Sequence, residues 1–184
     1  MQLFSFSVGA ASNVTFRSWS YAGGVNAAGQ TIARGGFDPI MALFNGSGTL
    51  IDSNDDGGDG NVAADPETGQ NWDVFLQASL LPGNYQVGLM QFDNFANGPN
   101  LSNGFFRDGS GNYTADFGCG APAFCDISGA TPFDQRNGQW AFDILNVNAS
   151  TVPAVPEPGT YAMLLAGLGL LGFVAQRRHP GNPA

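Results

Sequence analysis

The chain has 184 residues with 15 acidic groups, 6 arginines and no lysine, for a formal charge of minus 9. Residues 1–155 hold 14 of the acids against 4 arginines, a balance of minus 10 that repels nucleic acid and anionic membrane and suits bound cations or an aqueous exterior. The 27 glycines and 11 prolines mark many turns and few long helices, while 15 phenylalanines supply the volume for one core in a domain of roughly 150 residues.

Period-two patterns at residues 2–8 and 13–19 predict two strands, or one strand bent near Gly9. A loop follows over residues 26–36. Residues 37–44 then read as a strand entered through Asp38 and Pro39, with a turn at Asn45-Gly46 and a short return strand over 49–51. Residues 71–80 alternate Trp72, Val74, Leu76, Ala78 and Leu80 on one face with Asp73, Phe75, Gln77 and Ser79 on the other, and residues 85–92 alternate again after Leu81-Pro82-Gly83-Asn84. Turn chemistry between two such runs predicts a β-hairpin. Tyr113, Ala115 and Phe117 suggest a further strand, and Trp140, Phe142, Ile144 and Val147 the last one. About eight short strands with turn signals every 8–12 residues predict an all-β fold, an antiparallel β-sandwich of jelly-roll type over residues 1–148. A Pro/Ala-rich linker over 149–155 and a single C-terminal hydrophobic helix complete the expected organisation.

The acidic groups concentrate between residues 52 and 59. Asp52, Asn54, Asp55, Asp56 and Asp59 sit on a glycine-rich loop, where like charges repel unless a cation or water intervenes. Calcium, a hard ion that takes six to eight oxygens, is the natural candidate, with Asp38 and Asp73 supplied from neighbouring strands; a solvated acidic turn is the alternative. Asp52, Asn54, Asp56 and Gly57 match the opening of the helix-loop-helix calcium pattern, but its twelfth position falls on Ala63 where a bidentate glutamate is required, so the loop is not that motif.

Cys119 and Cys125, in a Gly/Pro loop, suit a disulfide outside the cell and lack the nearby histidines of a zinc site. The sole histidine is His179, and Glu67 is the one glutamate before the tail, so the usual nucleophile–base pairs and glycosidase carboxylates are missing and a non-catalytic protein is expected. Trp19, Tyr21, Trp72, Tyr85, Tyr113 and Trp140 either offer faces to extracellular polysaccharide or fill the core.

The last stretch carries three signals in order. Pro156-Glu157-Pro158 is fixed in extended form by its two prolines, residues 160–176 are apolar on every helical face, and Arg177-Arg178 follow. The 16 residues from 160 to 175 would span about 24 Å as a helix, slightly short of a ~30 Å hydrocarbon core, and the arginine pair holds its end on the cytoplasmic side.

On these residues the tail resembles the PEP-CTERM family of bacterial sorting signals. That resemblance implies recognition by an exosortase, a membrane-embedded protease or transpeptidase, with inner-membrane anchoring before processing and a cell-surface or extracellular destination afterwards. The sorting residues it implies are Pro156, Glu157, Pro158, Arg177 and Arg178, within a signal over 156–184. A looser pattern, Phe37-Asp38-Pro39, Leu43-Phe44, Asp55-Asp56, Leu81-Pro82-Gly83-Asn84-Tyr85 and Gln91-Phe92-Asp93-Asn94, is similar to extracellular sandwich domains of the DVUA0089 and pre-peptidase C-terminal types. This second resemblance implies a non-catalytic module, in some members with a calcium site beside the Asp-Asp loop. Residues 1–11 alternate like a strand and carry no positive charge, so the export signal such a tail calls for is expected to lie outside this chain.

Overall fold

The computed structural model describes residues 1–120, 124–129 and 131–151. Contacts divide the chain into two units, Met1–Val152 and Pro153–Ala184, and the second lies outside the described residues, as do the expected C-terminal helix and the sorting residues. Among the described residues no helix is long and apolar enough to cross a membrane.

The first unit is a β-rich fold of several mostly antiparallel sheets. Its strands in chain order are β1 (Gln2–Val8), β2 (Ser12–Trp19), β3 (Gly24–Val25), β4 (Thr31–Ile32), β5 (Pro39–Asn45), β6 (Leu50–Asn54), β7 (Phe75–Leu80), β8 (Gly83–Gln91), β9 (Phe124–Cys125), β10 (Gln135–Arg136), β11 (Ala141–Leu145) and β12 (Ala149–Thr151). A five-stranded sheet runs β12-β1-β8-β5-β6, a three-stranded sheet runs β11-β2-β7, and β3-β4 and β9-β10 are two-stranded ribbons.

Alternation explains the first two strands. In β1 the side chains of Phe4, Phe6 and Val8 are buried and their neighbours are not; in β2 the same holds for Val14, Phe16 and Ser18. These inward faces meet those of β5, β7 and β8 in one core, where Phe6 packs edge-on against Phe16 at 5.6 Å and stacks on Tyr85 at 5.5 Å. Strand β5 is buried on both faces, which is why residues 40–44 read as an unbroken apolar run. Met41 and Leu43 face the main core, whereas Ile40, Ala42 and Phe44 lie under a second cluster with Met90 and Phe105.

Four expectations require correction. The strands on either side of Leu81-Pro82 do not pair: β7 bonds to β2 in the smaller sheet and β8 to β1 and β5 in the larger. The turn carries the chain across the core instead of along a ladder, so that Ala78 and Leu80 join Val87 and Leu89 in the same cluster. Residues Tyr113–Phe117 form a 3₁₀ helix, not a strand. Its hydrogen-bonded turns leave Thr114 buried and let the Tyr113 hydroxyl donate to the Gln91 carbonyl at 2.7 Å. The return strand β6 begins at Leu50 and continues through Asp52 to Asn54. Finally, Ala149–Thr151, read from sequence as linker, form β12 along the edge of β1, with Asn148 Oδ1 accepting from Gly9 N where β1 ends and β12 begins.

At Gly36 close approach requires a glycine. Gly36 donates to the Ser20 carbonyl at 3.0 Å, and a Cβ there would sit 2.2 Å from the Gln139 carbonyl oxygen. This contact sets the path of the backbone into Phe37 and Asp38.

Candidate metal centre

The β5–β6 hairpin builds the site. Met41 pairs with Asn54, so the residues just before β5 and just after β6 lie side by side. Asp38 and the pair Asp55-Asp56, 17 and 18 positions apart in sequence, thereby present carboxylate oxygens all within 4.8 Å of one another. The arrangement is a generic carboxylate cluster capable of coordinating a metal ion.

The loop holding the pair is braced from several sides. Asn54 donates through Nδ2 to the Asp56 carbonyl at 3.1 Å, and its Oδ1 accepts from Phe75 N at 3.0 Å. Gly57 N donates to the Asp73 carbonyl at 2.8 Å, and a Cβ on Gly57 would meet that same oxygen at 2.7 Å. On the other side, the Asp38 carbonyl accepts from Phe92 N at 2.9 Å.

Electrostatics make the cluster uncomfortable without a positive partner. Asp38 is 9 % exposed, and the Oδ1 atoms of both Asp38 and Asp55 are buried without a hydrogen bond among the described residues. Burial first, then the nearby charges of Asp126, Asp55, Asp56 and Asp73, pushes the Asp38 carboxyl well above its usual range. Burial followed by the neighbouring Asp56 raises Asp55 from 3.8 to about 6, and burial raises Asp56 as well. Such groups either hold protons or share a cation.

Of the seven residues proposed from sequence as metal ligands, the fold brings Asp38, Asp55 and Asp56 together. Asn54 serves as the loop brace. Asp73 is buried and spent on protein donors: its Oδ1 accepts from Ser18 Oγ at 2.6 Å and Ser20 N at 2.7 Å, and its Oδ2 from Ala22 N at 2.9 Å. It fastens the end of β2 and adds negative charge near Asp38. Asp52 is exposed and caps Ser53 N at 2.8 Å, and Asp59 is exposed in the following turn.

A second charged assembly, without a sequence signal, adjoins the cluster. Asp65, fully buried, accepts from Arg34 Nη2 at 2.7 Å, from Arg136 Nη1 at 3.3 Å, and from the backbone of Glu67 and Thr68. Burial pushes its carboxyl up, but these backbone donors and the two arginines outweigh it and hold the acid below its ordinary value. The Arg136 guanidinium lies 3.5 Å over the Tyr21 ring and donates through Nε to Asp126 Oδ2 at 3.2 Å, while the Tyr21 hydroxyl donates to the same oxygen at 2.6 Å. The charge of Asp126 is the largest neighbouring one acting on Asp38.

Cys119 and Cys125 form the expected disulfide, with Cα atoms 5.9 Å apart. Asp126 follows directly, so the bond constrains the segment that delivers it. For so short a loop, reduction is expected to cost about 2 kcal/mol by the chain-entropy relation. The melting temperature should then fall by roughly 4–8 °C for a domain of this size. Thermal unfolding with and without a thiol reductant measures the difference, and coincident curves would remove the disulfide from the account of stability.

The aromatics proposed as sugar faces divide. Tyr21 is fully buried with Trp72 packed on it at 5.0 Å, and Tyr85 stacks in the core. Trp19 is tied to Asp143 through Nε1 at 2.7 Å beneath the Arg17 guanidinium. Tyr113 and Trp140 are half-buried and line an open cavity.

Comparison with known proteins places one further feature on the chain. The family description "PEP-CTERM protein-sorting motif" matches residues 154–178, which include Pro156, Glu157, Pro158, Arg177 and Arg178. The motif implies recognition by an exosortase and is consistent with eventual placement at the surface or outside the cell. No curated protein matches the chain, and no solved structure matches it.

Proposed function

We propose that this chain is a non-catalytic surface or extracellular-matrix protein, associated with biofilm or exopolysaccharide, whose folded unit is delivered by an exosortase acting on the C-terminal tail. The observation that carries the reading is the sorting motif over residues 154–178, which begins just after the compact unit ends at Val152. The five- and three-stranded sheets, sharing one core, are read as the two layers of a sandwich of the extracellular type. The chain's one histidine, His179, lies in the tail, which supports a binding or structural role over catalysis. In this reading the apolar segment anchors the protein in the inner membrane until processing, and calcium occupies the Asp38–Asp55–Asp56 cluster outside the cell, where a hard divalent ion is available.

Mass analysis of the protein recovered from its own cells tests the sorting step. The expected mature species lacks the residues that follow the Pro-Glu-Pro turn, and Glu157→Ala is expected to leave the uncut chain in the membrane fraction. An intact tail on surface-exposed protein would overturn processing.

A second reading, a calcium-dependent carbohydrate-binding module, is favoured by the cavity that Tyr113 and Trp140 line. The two readings are compatible, since a matrix protein can hold its matrix through such a site.

A further inference from the structure

A cavity of about 630 Å³ opens where the start of β1 and the end of β8 meet the segment from Arg107 to Tyr113. Clefts that hold small ligands run from roughly 300 to 1,000 Å³, so its size is that of a ligand site. Its walls combine the half-buried rings of Tyr113, Phe124 and Trp140 with the side-chain amides of Gln91 and Asn94. Rings offer flat apolar faces, and the amides add the acceptor Gln91 Oε1 and the donor Asn94 Nδ2, their other polar atoms being bonded within the protein.

Charge narrows the ligand class. Arg107 lines the cavity, but its guanidinium is engaged as a fork on Asp93, at 2.7 Å through Nε and 3.0 Å through Nη2. Asp108 likewise accepts from Phe105 N at 2.8 Å. An anion entering here meets a cation already neutralised, on a folded unit whose surroundings carry an excess of acids. A purely apolar ligand would leave Gln91 Oε1 and Asn94 Nδ2, the amide atoms not bonded within the described residues, without a polar partner.

The walls are fixed in advance. Buried Asn94 accepts from Arg107 N at 2.6 Å, the Tyr113 hydroxyl donates to the Gln91 carbonyl, and Gln91 Nε2 donates to Thr114 Oγ1 at 3.2 Å. Little side-chain order has to be imposed when a ligand enters.

We infer that this cavity binds a neutral saccharide segment, its ring faces against Trp140, Tyr113 and Phe124 and its hydroxyls on the amides. The inference rests on the carbohydrate-binding reading above and gives it a site. It also joins that site to the cation cluster through the backbone, because Phe37, a wall of the cavity, directly precedes Asp38.

Affinity electrophoresis of the full chain in calcium-containing native gels supplies the test, with hydroxyethylcellulose, galactomannan and dextran as neutral polymers and alginate as an anionic one. Retardation is expected in at least one neutral polymer and not in alginate. Ser110→Trp fills the exposed mouth without removing a wall, and Trp140→Leu removes a ring face; each is expected to weaken retardation at least about tenfold. Migration unaffected by every neutral polymer, or retardation by alginate alone, overturns the ligand class. Retardation that both variants retain in full overturns the cavity as the site. Neither result bears on the sorting step, which the mature mass reports separately.

Discussion

Millimolar calcium is expected to raise the melting temperature of this protein, and Asp38→Asn to abolish the rise. Three carboxylates with oxygens within 4.8 Å, with Oδ1 of Asp38 and of Asp55 buried without a hydrogen bond among the described residues, destabilise the fold whenever they are all ionised. A cation that binds the folded chain and not the unfolded one contributes about 2.7 kcal/mol when present at a hundred times its dissociation constant. For a domain of this size that corresponds to roughly 5–10 °C. The cation-free protein should show the opposite dependence on pH from a protein rich in salt-bridged acids. Asp55, raised from 3.8 to about 6 in the fold, binds its proton more tightly folded than unfolded. Its contribution is therefore fully present below about pH 4 and lost as pH rises through about 6. After allowance for solvent screening at this half-buried site the loss is on the order of 1–2 kcal/mol, and Asp38 and Asp56, shifted in the same direction, add to it. In chelator, Asp38→Asn removes one of the repelling charges and should melt higher than wild type at pH 7. Scanning calorimetry across pH 4–8, with calcium and with chelator, reads all of these. A wild-type midpoint indifferent to calcium, or an equal rise in Asp38→Asn, would remove the metal from the site.

How far this could be seen in the sequence depended on whether the information was local. Strands β1, β2 and β5 announce themselves through alternation or an unbroken apolar run, because burial on one face or two imposes that pattern directly. The β7–β8 connection did not, since Leu81-Pro82-Gly83 turns the chain equally well along a ladder or across a core and the inward alternation is the same in both. At Tyr113–Phe117 the spacing of aromatic residues imitated a strand, while the segment turns as a 3₁₀ helix beneath Gln91. The carboxylate cluster was legible as a density of acids, and hairpin geometry then brought Asp38, Asp55 and Asp56 together. Asp73 carried the same local signal but spends its oxygens on Ser18, Ser20 and Ala22, donors that only the folded chain supplies. Nothing local marked Asp65 and Arg136, 71 residues apart, as partners. The tail, by contrast, was legible from the order of its elements, and the sorting motif matches the same stretch, residues 154–178.

Arg136→Met is expected to be among the most damaging single substitutions in the folded unit. The arginine is 7 % exposed and joins three elements: it donates to Asp65 after β6, to Asp126 beside the disulfide, and lies over the Tyr21 ring after β2. Methionine replaces much of its volume but none of its charge, leaving buried acids short of a partner, for which breaking such a pair costs roughly 3–5 kcal/mol. The loss should fall mainly on Asp126. Asp65 keeps Arg34 and the backbone donors of Glu67 and Thr68, whereas Asp126 retains the Tyr21 hydroxyl. Burial already raises Asp126 despite Tyr21 and Arg136, so removing the arginine raises it further. A carboxyl raised in the fold stabilises below its unfolded value and loses that contribution as pH rises through its folded value. The deficit of Arg136→Met should therefore shrink in acid and widen toward neutrality, and adding Asp126→Asn should recover part of it at pH 7. Urea denaturation of the wild type, both single variants and the double variant at two pH values gives the coupling directly. A cost below about 1 kcal/mol, or full additivity of the two substitutions, would mean that the charges at this junction act independently and that packing around Tyr21 holds it together.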